Sequence, residues 1–569
     1  MMMQHAKTEP RPLLRGVAIR EGVRRLHIVP VLIGFLFYVV GAVWVWASPI
    51  VATSDDDYHL TSTWCPRPFE SSGCEYRLRQ TPKPTNVWGH LSDVEVKVPS
   101  ILRDAGCKNF KTDVSAACMN NLSEKSYFFS DRVDDGGYPY GFYHINHLFV
   151  TSHVITSILV MRLFNWTLIY ALCVGVMICA PVAYRRPIIL TALFTAIPMG
   201  TYYIASNNPS SWAIGGLFIF ATATVSALHS AGKRRCILMA IALVGALLCT
   251  MARADASFFI WITSLAIWIS QPWKREYRNI AILTAVVSVW GLIVYASLDK
   301  NFILAVNEPD ADKSIFIILL RNIFNLPSII AGFYGLAPYH PGMSDAPLHL
   351  NSYVFSYATL GIMLAIGATA YSLRKFLSTG LLFGATVGMP VLVMTMKKMA
   401  SLQPFQPRYV MPLFIVCVFL HLLPTEKREI DLKRSQWLFA GVCIFFIQHL
   451  AVEFVVMRYV RGNKNLGFSL NKGVEWWWTN FPLSPNGLWL LSSVSCVILL
   501  CLLTPYVCNS KKGKVAGQGT SSSMVEHEQE IHSDRKTRGD FIVEQSVTDT
   551  QNKEEIQQQK VKYSTVGSQ

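Results

Sequence analysis

The chain has 569 residues, of which 51% are hydrophobic and 15% are charged, and its formal net charge is +15. A soluble chain carries about a quarter charged residues, whereas here the apolar residues form blocks of about 17 to 22, the length that crosses a bilayer. The Lys and Arg residues lie in short clusters between these blocks, as the positive-inside rule describes, so the charge does not indicate a nucleic-acid-binding face. The composition predicts an all-α polytopic membrane protein.

The first apolar block follows a basic leader. Residues 1–26 contain five arginines, and the apolar run 28–47 is longer than the core of a cleaved secretory signal, which has about 7–15 residues. We therefore expect an uncleaved anchor with a cytoplasmic N-terminus. A transmembrane core is predicted over 27–508.

The largest polar insertion, residues 49–143, follows the anchor and is predicted to be a loop-rich extracytoplasmic subdomain. It contains four cysteines: Cys65, Cys74, Cys107 and Cys118. Four cysteines outside the cytoplasm can form two disulfides with three alternative connectivities. No C-x-x-C pair is present to indicate a zinc site. The other nine cysteines lie in or beside apolar helices and are expected to pack as small apolar residues.

Twelve spans with both termini in the cytoplasm place nearly every basic cluster inside. This count treats two interrupted apolar stretches, 144–163 and 314–335, as helices at the outer surface or as re-entrant segments. If both crossed the membrane, there would be fourteen spans, and the basic clusters at 185–186, 233–235 and 274–278 would lie outside. The tail, 509–569, has few apolar residues and is expected to be disordered in the cytoplasm.

With this topology, unusual polar residues collect on the extracytoplasmic side. The stretch SDDDYH, residues 54–59, stands just beyond the anchor. One of its acids could serve as a catalytic base. The three acids could equally well cap a helix or form a solvated acidic run. Lys397, Lys398 and Arg408 also fall outside, against the topology rule. Either a bound phosphate or lipid headgroups explain them.

An acid and a basic pocket near the same leaflet fit glycosyl transfer from a polyprenyl-phosphate sugar. That reaction needs a base for the acceptor hydroxyl and positive charge for the departing phosphate. The lipid tail needs a membrane groove, and the acceptor needs a water-facing loop. No cofactor is required. A divalent metal is compatible with these residues but is not demanded by them.

Four ordered motifs carry a family resemblance: Asp55-Asp56-x-x-His59, YPYGFYH at 138–144, Asn-Pro-Ser at 208–210 and Arg408-Tyr409-x-x-Pro412. The set resembles the GT-C class of polyprenol-phosphate-sugar-dependent glycosyltransferases, and within it a bacterial family of predicted multi-pass membrane proteins. The resemblance runs over about 28–508. Asp56 stands where that family usually has Glu, which leaves two candidates for the catalytic carboxylate. The loop near Asp345 matches only loosely.

The resemblance implies a glycosyltransferase at the outer face of the cell membrane, which transfers a sugar from a polyprenyl-phosphate donor to an envelope glycan or lipid. Asp55 or Asp56 would be the base with His59 in support, and Arg408, Lys397, Lys398 and Tyr409 would bind the donor phosphate. The further substrate-binding candidates are Tyr138, Tyr143, His144, Asn208, Arg253, Asp255 and Trp477.

Bland alternatives stay open for several of these residues. Arg253 and Asp255 can simply pair, His144 can be an interfacial contact, and Trp477 can belong to an aromatic belt. Two other functions also remain. A transporter or flippase of lipid-linked sugars would need ionisable residues within the spans, of which Glu453 is the main example. A non-catalytic envelope-assembly protein would not depend on the acids.

Overall fold

The structure, a computed structural model, describes residues 28–80, 91–298, 310, 312–425, 428, 430, 432–463, 467 and 469–508. The predicted cytoplasmic leader, 1–26, and the predicted disordered tail, 509–569, lie outside these residues. The helices, in chain order, are Ile28–Ala47 (α1), Asp56–Trp64 (α2), Ile101–Asp104 (α3), Tyr140–His147 (α4), Val154–Cys179 (α5), Val182–Ile204 (α6), Ser210–Leu228 (α7), Gly232–Ala252 (α8), Ala254–Ser270 (α9), Arg278–Ser297 (α10), Ile315–Phe324 (α11), Leu326–Gly332 (α12), Asn351–Ala368 (α13), Leu373–Met396 (α14), Met411–His421 (α15), Arg434–Arg461 (α16) and Pro485–Val507 (α17).

The predicted number of spans was too high by the criterion of helix length. Within the described residues, ten helices are long and apolar enough to cross a membrane, or eleven if the bent pair α11–α12 is one span. The other two predicted spans correspond to α9, with 17 residues, and α15, with 11. At about 1.5 Å per residue, α15 covers only about half of a bilayer core. Residues 411–420 are all buried inside the protein, so α15 has little contact with lipid.

The two interrupted apolar stretches, 144–163 and 314–335, differ from each other in how they compare with the prediction. The 144–163 stretch is split, because α4 ends at His147 and α5 begins at Val154, so its second half belongs to a span rather than to a surface helix. The second stretch, 314–335, forms α11 and α12, which are bent by 41° at Asn325. This bend is compatible with the re-entrant alternative of the prediction, and equally with a broken span.

Helix α7 forms the centre of the membrane core, since all of its residues are buried. It packs against α5, α8, α9 and α15. Gly216 of α7 and Gly245 of α8 face each other so closely that a Cβ on either one would lie within 2.8 Å of the carbonyl oxygen of the other. Small residues allow such close backbone approach in membrane helix pairs.

The first loop is not wholly irregular, and the chain is therefore not all-α. It contains an antiparallel sheet of three strands, Tyr76–Leu78 (β1), Val94–Pro99 (β2) and Tyr127–Ser130 (β3), in the order β1-β2-β3. Val96 and Val98 of β2 are buried, while Lys97 between them is exposed, as the period of two in a strand requires. Two cysteine pairs stand at disulfide distance: Cys65 with Cys74, before β1, and Cys107 with Cys118, between β2 and β3.

Candidate functional site

The acidic stretch is held by three distant parts of the chain that converge on Ser54. Its carbonyl oxygen accepts hydrogen bonds from Nη1 of Arg408 at 3.0 Å and from Nδ2 of Asn208 at 2.9 Å. Its hydroxyl donates to the carbonyl of Gly342 at 3.0 Å. The next residue, Asp55, has φ of 60°, a left-handed conformation that Asp adopts more readily than most residues. This turn directs the Asp55 carboxylate away from α2.

Two buried cations close the end of α1 beneath this turn. Arg162 of α5 donates to the carbonyl of Val45 in the last turn of α1 at 3.3 Å and to that of Ser48, just past the helix, at 2.9 Å. Lys108 donates to the Ile50 carbonyl, three residues beyond α1, at 2.8 Å. The last carbonyls of a helix lack partners within the helix and carry partial negative charge, so cations are favourable there. A carboxylate oxygen of Asp56 lies 3.5 Å from the Arg162 guanidinium and partly offsets its charge.

Asp55 is partly exposed, as is Asp57, whereas Asp56 between them is buried. Nη2 of Arg408 donates a short hydrogen bond to Oδ2 of Asp55, and Nη2 of Arg132 lies 3.5 Å from Oδ1 of Asp55. The Asp55 side chain is 38% exposed, whereas that of Arg408 is 2% exposed. Burial alone would raise the pKa of Asp55, but Arg408, Arg132 and His59 outweigh it and lower the pKa to about 2. Asp55 is therefore ionised, and the positive charge of Arg408 balances its negative charge.

Asp56 has the opposite environment. Its side chain is fully buried and accepts a hydrogen bond from the Thr53 amide at 3.0 Å. Burial raises its pKa to about 6, against the opposing effect of Arg162. Its Oδ1 has no hydrogen-bond partner among the residues that the structure describes. A substrate cannot reach this carboxylate without rearrangement, so the geometry favours Asp55 over Asp56 as the reactive acid.

His59 lies behind the acids in a cage of aromatic rings. Its Nδ1 is 2.9 Å from the hydroxyl of Tyr143, and its ring meets that of Tyr138 edge-on at 5.2 Å. Burial lowers its pKa well below the usual value, and this effect exceeds the opposing attraction of Asp55. The buried Nε2 is unpartnered within the described chain. A neutral His59 is thus placed to position Tyr143 and α2.

Two guanidinium groups and the ring of Tyr409 lie beside the acidic stretch. The Arg408 and Arg253 guanidinium carbons lie 5.2 and 4.5 Å from the centre of the Tyr409 ring. Arg253 is held by Asp255 in a bidentate pair at 2.8 and 2.7 Å, and it also donates to Ser210 at 3.3 Å. Such cation–π contacts strengthen when they are desolvated.

Several predicted site residues thus come together: Asp55, Asp56, His59, Tyr138, Tyr143, Asn208, Arg253, Asp255, Arg408 and Tyr409. Asn208 belongs to the group as a brace of the Ser54 backbone, and the fully buried amide is not exposed to a substrate.

Four other predicted residues are not brought to this cluster. Lys397 and Lys398, at the end of α14, make no hydrogen bond or ion pair with Asp55 or Arg408 in the described part of the chain. His144 is exposed on α4 and bonds only to its own helix, at the Tyr140 carbonyl. Trp477 donates to the Leu483 carbonyl at 2.8 Å, within its own loop.

The sequence did not single out Arg132, although it contacts the site directly. It makes a bidentate pair with Asp57 at 2.8 and 3.1 Å and also reaches towards Asp55. Asp134, two residues on, accepts from Arg67 at 2.7 Å and from the Tyr138 amide at 3.0 Å, which fixes the aromatic turn. An Arg and an Asp next to the GGYPYG turn were the available signal.

A second buried ion pair braces the site from the side of α16. Arg458 donates to Asp345 at 2.9 Å, and both side chains are almost fully buried. Asp345 also accepts from the amides of Phe110 and Met343 at 3.1 Å. The loop around Asp345, which matched the expected pattern only loosely, therefore has a structural role beside Gly342. Among the described residues, no group of three or more His, Cys, Asp and Glu side chains is arranged to hold a metal ion.

Comparison with known proteins gives one match. A family described as "Predicted membrane protein (DUF2142)" matches residues 37–418, which include the whole cluster from the acidic stretch to Tyr409. No curated protein and no solved structure matches the chain. The match covers more than half of the 569 residues. The chain is a multi-pass membrane protein and belongs to the DUF2142 family.

Proposed function

We propose that the protein is a glycosyltransferase of GT-C type that moves a sugar from a polyprenyl-phosphate donor to an extracytoplasmic glycan or lipid. The observation that carries this proposal is the pairing of an accessible carboxylate, Asp55, with a buried guanidinium, Arg408. The pair stands at the end of a helical membrane core. One partner suits a general base and the other suits a departing phosphate. The order of the four sequence motifs supports the same reaction.

In this proposal the donor phosphate takes over the hydrogen bond that Arg408 gives to Asp55. The guanidinium binds phosphate oxygens as readily as carboxylate oxygens. Losing the Arg408 contact removes the largest attraction that lowers the pKa of Asp55, so the freed carboxylate becomes a stronger base. Donor binding thus prepares Asp55 for the reaction.

The chemical step then balances around two groups. The acceptor oxygen forms a bond to the anomeric carbon, and the bond between that carbon and the phosphate oxygen breaks. The hydroxyl proton passes to Asp55, and the electron pair of the broken bond stays on the polyprenyl phosphate, beside Arg408. Arg132 would hold Asp55 in place after Arg408 turns to the phosphate, because its guanidinium already lies 3.5 Å away.

The remaining residues position these two groups. His59 supports the aromatic cage, and the ring of Tyr409 contacts the guanidinium groups of both Arg253 and Arg408. The active site would lie on the extracytoplasmic face of the cell membrane. The acceptor on that side is a cell-envelope component.

The test is transfer by the purified full-length protein in lipid nanodiscs. A panel of radiolabelled polyprenyl-phosphate sugars is offered with envelope glycolipid extract, and labelled product is followed by chromatography. Envelope glycans from cells with and without the protein are compared by mass spectrometry to name the acceptor. We expect product from at least one donor and the loss of one glycan species. If the protein in sealed proteoliposomes moves labelled donor across the bilayer and forms no product, it is a flippase instead.

A further inference from the structure

Helix α11 presents an unusually apolar exposed surface for a short helix next to a basic segment. Only Ile318 and Asn322, one turn apart, are buried, and they face α14. The Asn322 amide donates to Thr395 at 3.1 Å and to the Met399 carbonyl at 2.9 Å, which fixes the helix against the end of α14. The exposed apolar residues of α11 are Ile315, Phe316, Ile317, Leu320, Ile323 and Phe324.

Three cations lie around this surface, and none of them has an acidic partner among the residues that the structure describes. Arg321 is exposed on α11, Lys398 is exposed just past α14, and Lys397 between α14 and Lys398 is half-buried. In the described chain no ion pair engages any of the three. The nearby acid, Asp310, is already occupied by Lys313 at 2.6 Å and by the Ala400 amide at 2.7 Å.

Arg321 and the lysines belong to one neighbourhood. The amide of Asp310 donates to the Lys398 carbonyl at 2.7 Å. The hydrogen bond from Lys313 lowers the pKa of Asp310 most, followed by the Ala400 amide, and the charge of Arg321 lowers it further. Arg321 therefore acts on the same acid that is bonded to the backbone of Lys398.

The bent pair then leads from this basic edge to the candidate site. Gly332, the last residue of α12, packs so tightly on Pro407 and Tyr339 that a Cβ would collide with both. Phe333, the next residue, stacks on Phe414 of α15 at 4.2 Å. Pro407 immediately precedes Arg408. One end of the α11–α12 pair is thus attached to the cationic cluster and the other to the segment that carries Arg408.

We propose that α11, with Arg321, Lys397 and Lys398, forms a docking site for the phosphomonoester headgroup of a membrane lipid. The site is separate from Arg408. It deepens the proposed function and rests on it in one respect, that sugar transfer at Arg408 releases a polyprenyl phosphate, which is a phosphomonoester, from a donor that is a phosphodiester.

The chemistry favours this class of ligand over the alternatives. A lipid phosphomonoester has charge and three terminal oxygens for several cations at once, and its chain can lie on the apolar face of α11. Phosphodiester lipids have less charge and fewer free oxygens. Inorganic phosphate would gain nothing from the apolar face.

The experiment measures binding of radiolabelled polyprenyl phosphate to the full-length protein in phosphatidylcholine nanodiscs. The Arg321→Gln variant and the Lys397→Gln/Lys398→Gln double variant are compared with Arg374→Gln, which removes an exposed cation at the opposite end of α14. All are also made in an Arg408→Gln background, so that binding at Arg408 does not contribute. We expect Kd to rise at least about tenfold in the two cluster variants, a change of about 1.4 kcal/mol, and less than about twofold for Arg374→Gln.

Equal Kd values for the cluster variants and Arg374→Gln would overturn the docking site. Competition identifies the class of ligand. Phosphatidic acid, a lipid phosphomonoester, should displace the label more effectively than millimolar inorganic phosphate or phosphatidylglycerol. Equal displacement by either of these two would also overturn the docking site. The two proposals fail independently. If sugar transfer requires Arg408 but is unchanged when Arg321, Lys397 and Lys398 are replaced, only the docking site is contradicted. Cluster-dependent binding without transfer from any donor defeats only the glycosyltransferase.

Discussion

Arg408 binds the acidic stretch at two successive residues, through Nη2 to the Asp55 carboxylate and through Nη1 to the Ser54 carbonyl. The two contacts have different consequences. The backbone contact fixes where the turn lies, whereas the carboxylate contact is the one that the donor phosphate replaces in the proposed reaction. A single buried guanidinium thus serves both the fold and the proposed donor site.

The amide of Asn208 should matter far more than that of its neighbour. Asn208→Ala removes the 2.9 Å hydrogen bond to the Ser54 carbonyl and the 2.9 Å hydrogen bond that its side-chain oxygen accepts from the Ser210 amide. Together these losses should lower the free energy of unfolding by about 1–3 kcal/mol. Asn207→Ala is the matched control, because that buried amide has no hydrogen-bond partner in the part of the chain described. Thermal unfolding of both variants in detergent tests this. Equal losses would contradict the bracing role of Asn208.

A methyl group at Gly332 should disturb the Arg408 segment. The added Cβ collides with Pro407, and overpacking of this kind costs about 1–3 kcal/mol. Gly388→Ala is the control, since open space surrounds that glycine of α14. We expect Gly332→Ala to lower both the melting temperature and sugar transfer, and Gly388→Ala to change neither. A silent Gly332→Ala would show that α12 is not coupled to Arg408.

The cysteines of the first loop should pair locally. The Cα atoms of Cys65 and Cys74 are 5.7 Å apart and those of Cys107 and Cys118 are 6.5 Å apart, within the range of disulfides. Peptide mapping without reduction, after alkylation of free thiols, should give these two cross-linked peptides and alkylation of the other nine cysteines. Any cross-link between the two pairs would refute this connectivity.

Asp56 should make stability depend on pH in a defined direction. Its pKa is raised from 3.8 to about 6 in the folded protein, so the folded state keeps a proton that the unfolded state releases between about pH 4 and 6. The stability that Asp56 contributes is therefore greatest at low pH and falls as pH rises to about 6. Asn cannot titrate. The melting temperature of Asp56→Asn minus that of the wild type should thus increase from pH 4 to pH 7.

Taking this difference also cancels His59, whose depressed pKa acts in the opposite direction over the same range in both proteins. Asp57→Asn, measured in the same buffers, provides the control for losing a carboxylate from this run. A difference for Asp56→Asn that stays flat with pH would contradict the buried environment of Asp56.

The sequence was sufficient to predict the membrane helices and the grouping of much of the site, because hydrophobic length and motif order are local properties. It could not predict which acid is accessible. Asp55 and Asp56 are adjacent and chemically alike, and their difference arises from Arg408 and Arg162, which lie far along the chain.

The remaining errors have physical causes as well. Met411–His421 was expected to span the membrane because it is apolar, but tertiary burial also makes a helix apolar, so composition alone cannot separate the two. The sheet of the first loop was missed because β1 and β3 have only three and four residues and are separated by long connections. Lys397 and Lys398 shared the expected chemistry with Arg408 but belong to the edge formed by α11 and α14.

The most direct test of the central claim compares Asp55→Asn with Asp57→Asn in transfer from labelled polyprenyl-phosphate sugar. Both substitutions remove one partly exposed carboxylate that pairs with an arginine. Because Asp55→Asn leaves the buried Arg408 without a carboxylate partner, the melting temperature of each variant is measured beside its transfer rate. Asp55→Asn should reduce the rate at least about 100-fold, the usual contribution of a general base, while Asp57→Asn should stay within about threefold of the wild type. An Asp55→Asn protein that transfers sugar at the wild-type rate would contradict the account.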